Sequence, residues 1–426
     1  MISIILLSSL IVFIIIGIPI PVAMGISILL VFILGDYPLY LLAQILIASS
    51  SNWSLLAVPF FIIAGGLMNE LGVTERLFNF ARAIVGHVKG GLAHVNVVAS
   101  MIFAGISGAS TADIGGLGKI EMKAMTDAGF SKKVSAGITV ASSVVGPIIP
   151  PSIGFILYGV IAEVSIIRLF LAGLFPGILI GLMLMISVYF QAVNSPRNFP
   201  TEKKADFKRI YTTFIDAMLV ILAPILIILG MTSGFISPTE AGAGAAVYSL
   251  FVGIIYKEIS WSKVWIPIKE GMVQAAHAIV MVALAGVIGY IMTFEKTPQF
   301  LAQMITRITS EPWIILLLFN VFFLIVGCFM SATASLILLT PIFLPVITKV
   351  GINPIHFGVI ITYALHIGIA TPPVGIGLYM ISDIANLKFE DTISSVVPYL
   401  FPLIVSLFII TYFPSLCLWL PSVLLD

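Results

Sequence analysis

Charge is the scarcest property of this sequence. Of its 426 residues, 9% are Asp, Glu, Lys or Arg and 60% are hydrophobic, whereas a soluble domain carries about 25% charged residues. So few polar side chains cannot cover a soluble fold of this size, which excludes an ordinary cytosolic enzyme. The formal net charge of +1 provides no overall field for nucleic acid. Cysteine is nearly absent: Cys328 and Cys417 make neither a disulfide framework nor a zinc spacing. The five histidines form no HExxH and no paired cluster. Ten-residue alternating segments are missing too, which argues against a β-barrel. What is present is long apolar runs, the pattern of an all-α polytopic membrane protein lying in a lipid bilayer.

No charge occurs before Asp36. As one helix, Met1 to Gly35 would run about 50 Å at ~1.5 Å per residue, against a bilayer core of about 30 Å. Gly17, Pro19 and Pro21 interrupt it, so two short helices are expected. Without a basic n-region or a small-residue cleavage site, the start does not read as a cleavable signal peptide.

Further apolar runs lie near 53–74, 91–106, 134–162, 169–193, 211–232, 236–256, 271–294, 313–330, 333–348, 355–382 and 393–420. Basic residues collect at Arg76–Lys133, at Arg197–Arg209 and at Lys257–Lys269. The positive-inside rule puts these three stretches in the cytoplasm. Trp261, Trp265 and Trp313 read as interfacial anchors or as ordinary packing. Counting spans then leaves Arg76–Lys133 cytoplasmic at both ends and Phe294–Lys349 extracytoplasmic at both ends. Each stretch holds a pair of short apolar runs with a Gly/Ser-rich middle, and reads as a re-entrant hairpin. The division expected is 1–90 mainly scaffold, 91–163 first hairpin and broken helix, 164–294 mainly scaffold, 295–390 second hairpin and broken helix, and 391–426 a C-terminal span.

The chain repeats itself at an offset of 222. Gly105 falls on Gly327, Thr111 on Thr333, Gly129 on Gly351, Gly146 on Gly368, Pro150-Pro151 on Pro372-Pro373 and Pro176 on Pro398, without a gap. The matched residues are helix breakers, so both halves interrupt their helices at corresponding places. With the hairpins entering from opposite faces, the repeats have inverted topology. That is the sequence pattern of a secondary transporter with its site at the repeat interface.

The two tips read Gly105-Ile-Ser107-Gly-Ala-Ser110-Thr111-Ala-Asp113 and Gly327-Cys-Phe-Met330-Ser331-Ala-Thr333-Ala-Ser335. Small residues expose carbonyls, hydroxyls add neutral oxygens, and such a shell suits a hard monovalent cation, Na⁺. The Pro-Pro segments free further carbonyls. A tip facing each break makes one cation site per repeat, hence at least two. The candidates are Ser107, Ser110, Thr111 and Gly146 in the first, and Met330, Thr333, Gly368 and Thr371 in the second. A substrate carboxylate would sit between them at the helix N-termini, near Ser107, Ser110, Asp113, Pro151, Ser152, Ser331, His366 and Pro373. Packing by small residues is the plainer reading of the same pattern. Asp113 reads as a functional acid or as a helix cap, and His366 as a substrate contact or a packing residue. Glu240 and Asp216 read as structural groups near an interface. Gly115-Gly-Leu-Gly118-Lys119 fails as a P-loop, since Ile120 stands where Ser or Thr belongs. A channel and a purely structural subunit stay open. A membrane protease lacks its paired acids or His ligands, so no enzyme is expected.

Several of these segments resemble one family. Val58-Pro-Phe-Phe-Ile-Ile-Ala-Gly-Gly-Leu-Met68, Gly86-His-Val-Lys-Gly-Gly-Leu92, Ser107-Gly-Ala-Ser110-Thr-Ala-Asp113, Ile149-Pro-Pro-Ser152, Pro238-Thr-Glu-Ala-Gly242 and Thr371-Pro-Pro-Val-Gly375 are similar to the large membrane subunit of tripartite ATP-independent periplasmic (TRAP) transporters. The resemblance implies a Na⁺-driven elevator in the bacterial inner membrane. It also implies a small four-helix membrane subunit and a periplasmic substrate-binding protein as partners. Family substrates are organic acids, among them C4-dicarboxylates, keto acids and sialic acid, and general likeness favours sialic acid. The chain departs from the pattern at Ser331, where many relatives carry an acid, and at His366, where many carry Asn.

Overall fold

A computed structural model describes residues 2–309 and 311–425, the side chains of 302 and 305–308 excepted. Among these residues every regular element is helical and there is no strand. The uncharged start forms α1 (Ile2–Ile15) and α2 (Ile20–Leu34), an antiparallel pair broken where Gly17 and Pro19 require it. A helix that hydropathy did not single out follows, α3 (Leu39–Ser50), and the run at 53–74 becomes a single 3₁₀ turn and α4 (Ala57–Glu70). The amphipathic α5 (Val73–Val85) leads to the first hairpin: α6 (Leu92–Ser107), a turn at Gly108 with φ 60°, then α7 (Ser110–Gly115) and α8 (Leu117–Asp127). The run at 134–162 is indeed broken, into α9 (Lys132–Ser143) and α10 (Ile153–Ile161). Long helices α11 (Ile166–Asn194), α12 (Phe207–Thr232), α13 (Pro238–Ile255) and α14 (Trp261–Phe294) follow. The second half repeats the theme with amphipathic α15 (Thr297–Ile308), the hairpin α16 (Pro312–Phe329) and α17 (Ala332–Lys349), and the broken pair α18 (Pro354–Ile367) and α19 (Ile376–Ala385). The chain closes with α20 (Phe389–Tyr412) and α21 (Ser415–Leu425).

Two expectations change. Lys263 and Lys269 do not lie in a loop: α14 starts ten residues before its apolar run, capped by Ser260, whose hydroxyl accepts the Lys263 amide. Lysine stems can lie along an interface while their heads reach water, so charge alone did not mark the helix end. The C-terminal run is two helices, because Pro414 cannot continue the first. The motif at Pro238 is a capping box: Ser237 Oγ accepts the Glu240 amide while the Glu240 carboxylate accepts the Ser237 amide.

Among the described residues, eight helices are long and apolar enough to cross a membrane. Exposed Leu226 and Leu229 on α12, Val247 and Ile254 on α13, and Val273 and Val280 on α14 form an apolar exterior that only lipid or a membrane partner covers. Trp261, Trp265 and Trp313 are exposed, as anchors are and core residues are not.

The offset of 222 holds for whole elements. It carries α4 onto the second half of α14, α5 onto α15, α6 onto α16, α9 onto α18, α10 onto α19 and α11 onto α20. Two joins differ: α3 and α4 are separate while their equivalents are fused into the 34-residue α14, and α7 and α8 are separate while their equivalents form the single α17. Helix α14 packs on α2, α3 and α4, with α13 set on α4, and it also packs on α17 of the second hairpin, while α6 and the two broken pairs pack on α11 and α20. Helix α11, from a stretch expected to be mainly scaffold, thus packs on α6, α18 and α20.

At the basic face, Arg82 of α5 binds Glu202 through Nε at 2.8 and 3.0 Å, tying that helix to the loop after α11. The carboxylate holds the Arg82 guanidinium above its usual range. Lys263 pairs with Glu258 at 2.6 Å and holds that carboxyl below the usual carboxylate range.

Candidate functional site

Each hairpin tip rests on the break in its own repeat. The Ile153 amide donates to the Gly108 carbonyl at 3.4 Å, and the Gly375 amide, 222 residues on, donates to the Cys328 carbonyl at 3.1 Å. Glycine makes the approach possible. A Cβ on Gly368 would stand 2.1 Å from the Gly327 carbonyl carbon, and one on Gly108 would stand 2.5 Å from the Pro151 carbonyl oxygen. Each Pro-Pro pair is joined by a cis peptide bond. By length, α16 and α17 could each cross a membrane. The Gly327–Gly368 contact shows that they turn back instead, because it sets the tip against the middle of the α18–α19 span.

Four of the candidate residues are held by local bonds. Ser152 Oγ donates to the Pro147 carbonyl at 2.5 Å and accepts the Phe155 amide at 3.1 Å, so it locks the break and caps α10. Ser331 caps α17, its hydroxyl accepting the Ala334 amide at 3.5 Å. Thr371 Oγ1 donates to the Ile367 carbonyl at 2.8 Å, and the buried His366 pairs through Nδ1 with the Thr362 carbonyl at 2.6 Å. A Ser152→Ala variant is expected to lose about 1–2 kcal/mol, read as a lower melting temperature of the purified complex, because it removes a cap and orphans a buried carbonyl.

The first tip is different. Ser107 and Ser110 are buried and their hydroxyls have no hydrogen-bond partner, nor does either carboxylate oxygen of buried Asp113. Asp113 therefore does not cap α7, whose N-cap position is Ala109 with no side-chain bond. Ser107 and Thr111 line a cavity of about 310 Å³ together with Asn69 of α4 and Glu270 and Gln274 of α14. The wall formed by Gly65, Gly66, Gly115 and Gly116 brings backbone to the cavity. Gly116 has a specific reason to lack a side chain, since a Cβ there would stand 2.2 Å from Asn69 Oδ1. Gly146 faces the first tip, its Cβ position lying 3.4 Å from the Ala109 carbonyl carbon. Pro151 is buried against that tip, whereas Pro373 is exposed. Met330 and Thr333 are half-buried at the second tip and line none of the described cavities. In this conformation a chamber lies at the first tip, walled by the α4–α14 body.

Two hairpins docked on two breaks, related by an internal repeat, form a known arrangement. The Alcanivorax borkumensis YdaH transporter, whose crystal structure is described as having an unusual topology, superposes with a TM-score of 0.67 over 88% of this chain and 89% of its own at 14% identity, which speaks for the fold alone. The sequence is decisive on family. Residues 7–416 match the model of the DctM component of tripartite ATP-independent periplasmic transporters. The chain belongs to this family. Among DctM-family relatives, the sialic acid TRAP transporter large permease protein SiaM of Vibrio cholerae is 41% identical over 90% of each chain. The 2,3-diketo-L-gulonate TRAP transporter large permease protein YiaN of Escherichia coli is 36% identical over 91% of each. The C4-dicarboxylate TRAP transporter large permease protein DctM of Pseudomonas aeruginosa is 37% identical over 89% of each. These relatives are transporter permeases, and this DctM-family chain is a multi-pass protein of the bacterial inner membrane.

Sequence reading missed the wall opposite the tip. Asn69 follows directly on the Val58–Met68 segment, and Gln274 is a lone amide inside the apolar run at 271–294. A polar side chain at helical depth in an apolar run was the available signal.

Proposed function

We propose that this DctM-family subunit carries out Na⁺-coupled uptake of an organic acid, sialic acid or a similar polyhydroxylated monoacid, by elevator-type alternating access. The observation that carries the reading is the chamber at the first tip. Its polar lining is neutral, from Ser107, Thr111, Asn69 and Gln274, and its one charged lining residue is the acid Glu270. Neutral donors and acceptors suit a sugar acid with many hydroxyls, while a dianion would meet no lining cation and one lining carboxylate. Unpartnered oxygens at Ser107 and Ser110 and carbonyls freed at the break suit Na⁺, which would offset the substrate's charge. Ser107, Ser110, Thr111 and Gly146 would hold one ion, and Met330, Thr333, Gly368 and Thr371 a second. The hairpin-bearing bundle would slide along the α14-centred body, with a small four-helix membrane subunit completing that body and a periplasmic binding protein delivering substrate.

Uptake by proteoliposomes containing the full complex and its binding protein tests this. Sialic acid accumulation is expected to require an inward Na⁺ gradient and to exceed that of a C4-dicarboxylate by at least tenfold. Accumulation unchanged in Na⁺-free buffer would remove the coupling, and preference for the dicarboxylate would remove the substrate assignment.

A further inference from the structure

Behind the first tip lies a polar network that transport chemistry at the chamber does not use. Asn96 of α6 donates through Nδ2 to Glu121 Oε2 at 2.8 Å and to Thr139 Oγ1 at 2.7 Å. Asn96 Oδ1 accepts from Ser142 Oγ at 2.7 Å, and Ser142 in turn accepts from Ser100 at 3.1 Å. Asn96 is 0% exposed and Glu121 1%. Glu121 Oε1 has no partner, and neither carboxylate oxygen of the neighbouring Asp113 has one.

Charge balance is the difficulty. An ionised carboxylate in an apolar interior, without a paired cation, is far too costly to leave charged. Packed against α7 and α8 are α5, α6, α9 and α19. Their charged and titratable groups are turned elsewhere. On α5, Glu75 is exposed, Arg82 binds Glu202 and Arg76 lies over the Tyr256 ring; on α6, His94 pairs with the Lys89 carbonyl. Lys132 and Lys133 of α9, Asp383 and Tyr379 of α19, and Lys119, Lys123 and Asp127 of α8 itself are all exposed. Among these groups only Asp113 acts electrostatically on Glu121, and it is another acid. Glu121 lines none of the described cavities, so water does not reach it through them.

The second repeat carries no counterpart of this network. At the offset of 222, Asn96 corresponds to Leu318, Ser100 to Phe322, Glu121 to Phe343, Thr139 to Ile361 and Ser142 to Ala364. In the second repeat this face is apolar and turned outward: Leu318 and Phe322 are exposed, and Phe343 packs on Phe319, Phe322 and Phe323 with centroids 5.0 to 5.7 Å apart.

We propose that Glu121 is a buried proton-binding site of the first hairpin, carrying its proton on Oε1 while Oε2 accepts from Asn96. The amide fixes which oxygen stays an acceptor, because both Asn96 hydrogens are committed and Ser142 holds its Oδ1. Protonation leaves one oxygen of each kind and no net charge on Glu121. The hairpin core then lies in low-dielectric surroundings without carrying that charge. This inference rests on the fold and the network, and not on Na⁺ coupling.

Infrared spectroscopy of the purified complex at mildly alkaline pH tests it without any transport assay. The expected result is a carbonyl-stretch band of a protonated carboxylic acid, lowered in D₂O, and weakened or lost in Glu121→Gln. Asn96→Leu keeps Glu121 but removes its amide donor, so the band should persist and move to higher frequency. Melting temperature gives a second readout: a proton held only by the folded state makes stability fall as pH rises, and Glu121→Gln should flatten that fall. No protonated-acid band in the wild type, as an ionised Glu121 paired with a metal cation would give, overturns the proposal. So does a band unchanged in Glu121→Gln.

Discussion

Replacing Gly368 with alanine is expected to abolish uptake and to lower the melting temperature of the complex by the largest margin of any change considered. The added Cβ would stand 2.1 Å from the Gly327 carbonyl carbon and 2.4 Å from the Gly327 Cα. Both are backbone atoms in the hairpin tip, so no rotamer change can relieve the overlap. Overpacking of a well-filled interior costs about 1–3 kcal/mol where side chains can shift, and here the relief must come from moving a tip off its break. Gly244→Ala is the matched control, because nothing lies within 4 Å of its Cβ position. That change should stay within about 0.5 kcal/mol, as surface substitutions do. Equal effects from the two variants, read as uptake and melting temperature side by side, would mean that the tip–break contact has no special weight.

The Ser107→Ala/Ser110→Ala double variant separates a ligand role from a packing role by the sign of two measurements. Both hydroxyls are buried and unpartnered in the protein alone. Removing a buried polar group that makes no hydrogen bond relieves a desolvation penalty of about 1–3 kcal/mol per group. The double variant should therefore melt no lower than the wild type in Na⁺-free buffer. If the same oxygens ligate Na⁺, uptake should fall at least tenfold, and the rise in melting temperature that Na⁺ gives the wild type should shrink. A variant that transports normally and still responds to Na⁺ would return the first tip to small-residue packing.

Much of this architecture could be read from the chain because helix breakers carry it. Gly146, Pro150 and Pro151 and their partners at Gly368, Pro372 and Pro373 interrupt apolar runs that would otherwise continue, and a break leaves a local mark in sequence. The chamber is less legible. Ser107 and Thr111 belong to the tip and were in view, but Asn69 and Gln274 reach it from α4 and α14, and that pairing exists only once the bundle is assembled. The distinction between free and engaged hydroxyls was also hidden. Ser107 and Ser152 are the same residue type in similar Gly/Pro settings, yet one hydroxyl is unpartnered and the other is held by the Pro147 carbonyl and the Phe155 amide. Glu121 stands in the sequence among Lys119, Lys123 and Asp127, which are exposed, and nothing in the sequence alone sets it apart from them.

The fused helix α14 has a further consequence. Its 34 residues span about 51 Å at ~1.5 Å per residue, well beyond a hydrocarbon core of about 30 Å. The surplus lies at the Trp261 end, where Trp261 stacks on Trp265 at 5.9 Å and Lys263 reaches Glu258. The apolar part of α14, 271–294, is about 36 Å long at ~1.5 Å per residue, a little longer than that core, and such a stretch answers thinner lipid by tilting. Because α4 and α13 pack together and α14 packs on α4, the tilt is passed to the wall that carries Asn69, Glu270 and Gln274. The lipid composition of the membrane thereby becomes a mechanical input to the shape of the chamber, without any lipid-binding site being needed.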